Sequence, residues 1–285
     1  MDEIRTRNGL STAPHLLSQL RPTATHSPLM AYARNVASQE GEDGILERIF
    51  ELMAPQNRYC VEFGAWDGKY LSNCYHLLEH QHWSGCFIEA NPRKFQELLA
   101  NHSSNPKVVC VNRFVEFQGE NSLDHILASV GAPLNFDLLS IDVDGVDWFI
   151  WESLEAYRPN VVVIEFNPTI GNDVIFVQAK NPEVNQGCSL SALVQLGKRK
   201  GYELICCTRW NAFFVKTEFF SLFGIPSNHV DALYIPPMDG RVFHGYDSVL
   251  HIVGMPYLVW SGIQIGHEDI QVVPKSMRRF SDSQT

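Results

Sequence analysis

From residue 59 onward the chain alternates short apolar runs with segments of helical spacing, and only four residues, Thr208–Asn211, separate the last two runs. A parallel crossover needs a dozen or more residues, so the final run must return antiparallel to its predecessor in a hairpin. The runs lie near Tyr59–Phe63, Gly85–Glu89, Val108–Asn112, Phe136–Ile141, Val161–Phe166, Tyr202–Cys207 and Ala212–Val215. Helical spacing is found near Lys69–His80, Pro92–Asn101, Ser122–Val130, Asp147–Ala156 and Leu190–Lys200, and earlier over Glu42–Met53. This pattern predicts an α/β, Rossmann-like sheet covered on both faces, mostly parallel with a final antiparallel strand. An ordinary dinucleotide-binding domain does not close its sheet that way.

Residues 1–35 read as an N-terminal extension, 36–216 as the α/β domain and 217–285 as an appended segment, serving as a lid, an interface or a packing lobe. With 45% hydrophobic and 19% charged residues, the chain can build an ordinary core. Its net charge of −10 argues against a nucleic-acid partner, which calls for a basic face. The short basic clusters Lys198-Arg199-Lys200 and Arg278-Arg279 read as a helix end and a tail. Seven cysteines without a CxxC pair read as reduced thiols, which makes a cytoplasmic location the expectation. No apolar run reaches the length of a membrane span.

Ligands of such sheets bind at the carboxyl ends of the strands. The first strand runs into Glu62-Phe63-Gly64-Ala65-Trp66-Asp67-Gly68; the next four end at Glu89, Asn112, Asp142 and Glu165. Glycines at 64 and 68 allow a sharp turn beside a ligand. The GxGxxG spacing is absent, and Glu62 and Asp67 would repel a pyrophosphate. S-adenosylmethionine (SAM), which carries an ammonium and a sulfonium, suits an acidic loop. Glu89 is then placed to accept ribose hydroxyls, and Asn112 to meet adenine.

The stretches around Ser38–Gly44, then VEFGAWDGKYLSN, GCFIEANP, DLLSIDVDGVDWFIWESL, VVVIEFNP and GCSLSALVQLGKRKGYELICCTRWNAFFV, resemble the FkbM-type methyltransferase family over residues 38–216. The resemblance implies a class I SAM-methyltransferase fold and O-methylation of a sugar or other small hydroxylated metabolite. It implies a glycine loop of Glu62, Gly64 and Asp67, a ribose contact at Glu89, and an acidic position at Asp142. It also implies that the segment of Gln39 folds over the cofactor. Asn73 follows the loop and is expected to face the site. Asp144 stands where the family often has Glu.

Asp142, Asp144 and Glu165 are the candidate catalytic carboxylates. With Asn167 they also form a candidate Mg²⁺ set, since hard cations prefer oxygen ligands; the alternative is that Asp142 touches the cofactor and Asp147 caps the following helix. Asp142-Val143-Asp144 also matches the D-x-D of metal-dependent glycosyltransferases, a short motif that arises often by chance. A third reading is a binding module on the same fold without turnover. His76 and His80 share a helix face but precede the second strand, and they read as surface histidines. Trp148 and Trp151 read as core. A small-molecule acceptor is the expected partner, and homo-oligomerisation is compatible with the sequence.

Overall fold

The computed structural model of the protein describes residues 26–236, 241–246, 249–253, 257–258, 263–264 and 267–271. Residues 1–25 of the expected 1–35 extension and the Arg278-Arg279 tail lie outside these residues, while Pro28–Tyr32 forms a 3-10 turn. The main domain runs α1 (Glu42–Met53), β1 (Tyr59–Phe63), α2 (Tyr75–His80), β2 (Ser84–Glu89), α3 (Pro92–His102), β3 (Val108–Asn112), α4 (Leu123–Ser129), β4 (Leu138–Ile141), α5 (Asp147–Ser153), β5 (Val161–Glu165), α6 (Leu190–Lys200), β6 (Tyr202–Cys207) and β7 (Asn211–Lys216).

The seven strands form one sheet in the order β3-β2-β1-β4-β5-β7-β6. Strands β1 to β5 run parallel to one another along that order. Strand β7 slots between β5 and β6 and is antiparallel to both. The short gap before it therefore had the consequence expected of a hairpin.

Alternate residues of each strand feed two cores, as period-two geometry requires. Val61, Phe63, Leu139, Ile141, Val162 and Ile164 pack under α4, α5 and α6, with Trp151 fully buried among them. Cys60, Leu138, Val161, Val163 and Phe213 pack under α1, α2 and α3. Helix ends are fixed locally. Asn91, Ser122 and Ser189 cap α3, α4 and α6 with their side chains, and Gly201 closes α6 in the left-handed region that glycine tolerates.

The helix expected from Lys69 begins only at Tyr75. Asp67 Oδ1 takes the N–H groups of Lys69 and Tyr70, Ser72 Oγ takes those of Cys74 and Tyr75, and Leu71 sits at φ 58°. Short polar side chains that compete for backbone donors favour turns over helix. Past β7, Phe223, Leu233 and Tyr234 are buried against the two cores. Beyond them β8 (Arg241–His244) pairs with β9 (Leu250–Val253), and β10 (Tyr257–Leu258) with β11 (Ile263–Gln264), outside the main sheet. Among the described residues no helix is long and apolar enough to cross a membrane.

Candidate functional site

The strand order reverses between β1 and β4, and there the carboxyl ends of the strands open a crevice. Glu62 lies opposite Ser140 in the β1–β4 ladder, and Glu165 opposite Asn211 in the β5–β7 ladder. One residue beyond the β1–β4 pairing, Gly64 presses on Asp142: a Cβ at 64 would stand 1.7 Å from the Asp142 carbonyl oxygen. Only glycine fits there, and its φ of 71° reinforces the requirement.

A cavity of about 370 Å³ opens at this point, lined among others by Gln39, Glu62, Ser72, Asp142, Asp144 and Glu165. A second of about 250 Å³ adjoins it through Gly64, Trp66, Asp142 and Asp144, and reaches Glu89, Arg113 and Phe114. Among the described residues no lysine, arginine or histidine lines the first cavity. Its rim is apolar: Trp66 and Tyr70 are 48% and 66% exposed. Trp66, Leu71 and Asp144 all adopt positive φ, which costs such residues on the order of 1–3 kcal/mol each and clusters at functional sites.

The carboxylates fall into two sets. On the β1–β2 side each is met by donors. Buried Glu62 accepts from Ser72 Oγ, Asn73 N–H (2.8 Å) and Ser140 Oγ (3.2 Å). Burial raises its pKa, and those bonds oppose the rise. Glu89 accepts from Trp66 N–H (2.7 Å) and Asn91 N–H (2.6 Å), one bond to each oxygen. Each oxygen keeps a further lone pair for a ligand hydroxyl.

On the β4–β5 side the carboxyl groups crowd one another. Oxygens of Asp142, Asp144 and Glu165 lie within 4.8 Å of each other. Asp142 and Asp144 open onto solvent at the cavity floor, yet protein surrounds most of each group. Burial, then the negative charges of Asp147, Asp144 and Glu62, hold Asp142 well above the usual range. Glu165 is driven well above it by burial, then by Asp142, Asp147 and Asp144. The interaction of Asp142 with Glu165 favours the carboxylate form of Asp142 and the protonated form of Glu165. Like charges this close hold a proton between them.

Other sequence candidates are placed differently. Asp67 does not line either cavity; its carboxylate shapes the glycine loop. Asn112 donates from its amide to the carbonyls of Glu89 and Ala90, which leaves Arg113 and Phe114 at the cavity beside it. Asn73 lies beneath the cavity and donates to Ser140 Oγ (3.1 Å). Asn167 lines neither cavity: its amide donates to Gln186 O and its Oδ1 takes the N–H and hydroxyl of Thr169, closing the turn after β5. Asp147 is not the cap of α5, a position held by Val146. It accepts from Val143 and Gly145 N–H, pinning the loop that carries Asp144, and burial pushes its pKa up to about 6. His76 is buried beside Gln81, not on the surface as expected.

The structure adds contacts that sequence reasoning could not supply. Glu42 is fully buried and accepts from Thr208 Oγ1 (2.9 Å) and Asn211 Nδ2 (3.2 Å), tying α1 to the β6–β7 turn. Asp43 Oδ2 accepts from the N–H groups of Val36, Ala37 and Ser38. Together they hold the segment of Gln39 at the cavity. The partners of Glu42 are more than 160 residues away, so no local signal could have revealed them. His102, at the end of α3, reaches Gly68 from below.

The strand order with its inserted antiparallel strand defines the class I SAM-dependent methyltransferase fold. No protein-family model matches the chain, and no curated protein matches it in sequence; the FkbM-type likeness remains one of motifs. Among solved structures the chain is similar to the N-terminal domain of EvdMO1, crystallised with SAH and D-fucose, at 12% identity and TM-score 0.41, covering 61% of this chain and 82% of that one. It is similar to a SAM-dependent methyltransferase from Aquifex aeolicus at 10% identity and TM-score 0.37, covering 59% and 86%. It is also similar to the CurJ carbon methyltransferase at 9% identity and TM-score 0.41, covering 61% of this chain and about half, 52%, of that one. The fold assignment rests on the strand order itself.

Proposed function

We propose that the protein is a SAM-dependent methyltransferase acting on a hydroxyl of a sugar or another small hydroxylated metabolite. The supporting observation is the crevice between β1 and β4, where Glu62, Asp142, Asp144 and Glu165 surround one cavity and Glu89 flanks the next. A nucleotide diphosphate meets repulsion in the first cavity, which counts against the D-x-D reading. The ammonium and sulfonium of SAM meet attraction.

In this reading the donor-satisfied side binds and the crowded side reacts. Glu89 accepts the ribose hydroxyls, Gly64 gives the ligand room beside the main chain, and Glu62 with Gln39 faces the charged end. SAM supplies an electrophilic methyl group. An acceptor hydroxyl must lose a proton, and the Asp142–Glu165 pair, with pKa values held upward, is suited to take it. Asp144, pinned through the loop that Asp147 holds, orients the acceptor. Trp66, Tyr70 and Trp210 offer apolar surface to its carbon skeleton.

The same three carboxylates also fit Mg²⁺, which favours oxygen ligands. In that second reading Asp142, Asp144 and Glu165 hold the ion and it positions the acceptor; Asn167 takes no part. Methyl transfer that survives exhaustive chelation favours the proton-taking pair, and loss restored by Mg²⁺ favours the ion. The methyltransferase reading itself is tested by calorimetry and thermal shift. SAM and its demethylated product should bind and raise the Tm. If NAD or a nucleotide sugar stabilises the folded protein and SAM does not, the reading fails. SAH release with a sugar acceptor would separate an enzyme from a binding module.

A further inference from the structure

We propose that the acceptor carries a protonated amine beside its reactive hydroxyl, as an amino sugar does, and that Asp144 selects for it. This substrate class rests on the methyltransferase reading of the site. The β4–β5 side of the first cavity is rich in acceptors and poor in donors. Asp142 and Glu165 interact with each other. Among the described residues no hydrogen bond or ion pair reaches the Asp144 carboxylate, which lines both cavities. Across the β5–β7 ladder from Glu165, buried Asn211 donates from Nδ2 to Glu42 (3.2 Å), and its Oδ1 is buried with no partner among the described residues. Its neighbour Trp210 lines the cavity. Buried acceptors are normally met by donors, so an unpaired one beside a cavity points to a donor brought by a ligand.

An ammonium fits this edge in number and in size. It offers three N–H donors and one positive charge. Charge-assisted bonds of about 2.8 Å from one nitrogen set their acceptor oxygens up to about 4.8 Å apart. Oxygens of Asp142, Asp144 and Glu165 lie within 4.8 Å of one another. The charged end of SAM goes to Glu62 on β1 in the proposed function, which leaves these acids to the acceptor. The cations nearby are engaged elsewhere. Lys94 sits 4.5 Å from the centre of the Trp66 ring, pairs with Glu97 (2.7 Å) and lines neither cavity. Arg209 stands 3.6 Å from Glu40, and Arg113 lines only the second cavity.

The rim selects in the same direction. Trp66, Tyr70 and Trp210 line the cavity, and aromatic faces attract cations. A sugar acid or a phosphorylated sugar meets like charge there and is rejected. A protonated nitrogen has no lone pair, so the amine anchors the acceptor and the neighbouring hydroxyl remains the methylated group. Mg²⁺ would take the same oxygens, so an ion requirement and an ammonium exclude each other at this edge.

Methyl transfer is measured as SAH release in EDTA at about pH 7, where a sugar amine is largely protonated. Glucosamine, galactosamine and mannosamine are each compared with the N-acetyl form, and with glucuronic acid. At least one amine should exceed its N-acetyl form about tenfold or more in kcat/KM, and glucuronic acid should be the poorest acceptor. Calorimetry of the same sugars against the SAH complex should show the same order without turnover. Asp144→Asn keeps a side chain that tolerates the left-handed backbone at this position (φ 57°), and its Tm and affinity for SAH report whether the site is intact. It should cut the amine preference about tenfold. Added salt should shrink the preference in wild type more than in the variant. With SAH bound, the proposal is overturned by equal use of amine and N-acetyl sugars, by a preference for the neutral or acidic sugar, or by no response to any amine. It is overturned equally by an unchanged preference in Asp144→Asn, or by turnover that requires Mg²⁺. If SAH does not bind, the methyltransferase reading itself has failed, and the substrate class falls with it.

Discussion

The two halves of the crevice treat negative charge in opposite ways. On the β1–β2 side, Glu62 and Glu89 are surrounded by N–H and O–H donors from the glycine loop and neighbouring strands. On the β4–β5 side, Asp142 and Glu165 have each other, with Asp144 and Asp147 close by. Donor-satisfied carboxylates are fixed in place and suited to holding a cationic ligand. Crowded carboxylates trade protons, as acid–base chemistry requires. In the proposed function the same residue types serve binding on one side and reaction on the other, because their neighbours differ.

The largest test of this division is Gly64→Ala, which drives a methyl group into the Asp142 carbonyl where the two halves meet. It should abolish SAM binding, by on the order of 100-fold or more, and lower the Tm by several degrees. A variant that binds normally would dissolve the junction on which the comparison depends.

Glu165→Gln sharpens the contrast. It removes the proton-sharing partner of Asp142 and should lower methyl transfer on the order of 100-fold while SAM affinity changes by less than about threefold. An equal loss in binding would return Glu165 to the binding side. The stability of the ligand-free protein carries the same signature. Asp142, Glu165 and Asp147 bind protons more tightly folded than unfolded. The stability they confer is therefore present at low pH and lost as pH rises from about 4, the unfolded value, through about 6 for Asp147, with Asp142 and Glu165 acting in the same direction. Denaturant midpoints across pH should show this decline, and Glu165→Gln should reduce it.

On the opposite side, Glu62→Gln should weaken SAM binding about tenfold with little change in the rate at saturation, since the proposed function sets Glu62 against the charged end of the ligand. Asn112→Ala should have the smallest effect, less than about threefold in affinity. Its amide already serves the carbonyls of Glu89 and Ala90.

Much of this was legible in the chain. The apolar runs at Tyr59–Phe63, Val108–Asn112 and Tyr202–Cys207 became strands with those bounds; the first and last are buried almost throughout, and a run buried on both faces has few alternatives. The positions of Glu62, Glu89, Asp142 and Glu165 at strand ends followed from the same pattern. Less legible was what each side chain meets. The segment 69–74 has helix-forming residues, yet Asp67 and Ser72 capture its backbone donors. Asn167 looked like a ligand by proximity in sequence, but it closes its own turn.

The sequence by itself determined the strands, their direction and the row of acids at their ends, since period, gap length and residue type are local quantities. The tertiary structure decided the register that sets Gly64 against Asp142 and Glu165 against Asn211, the burial of Glu42 and the reach of His102 to Gly68. Those contacts join residues far apart in the chain. Whether a carboxylate faces donors or other carboxylates depends on which strands lie side by side, and only packing settles that.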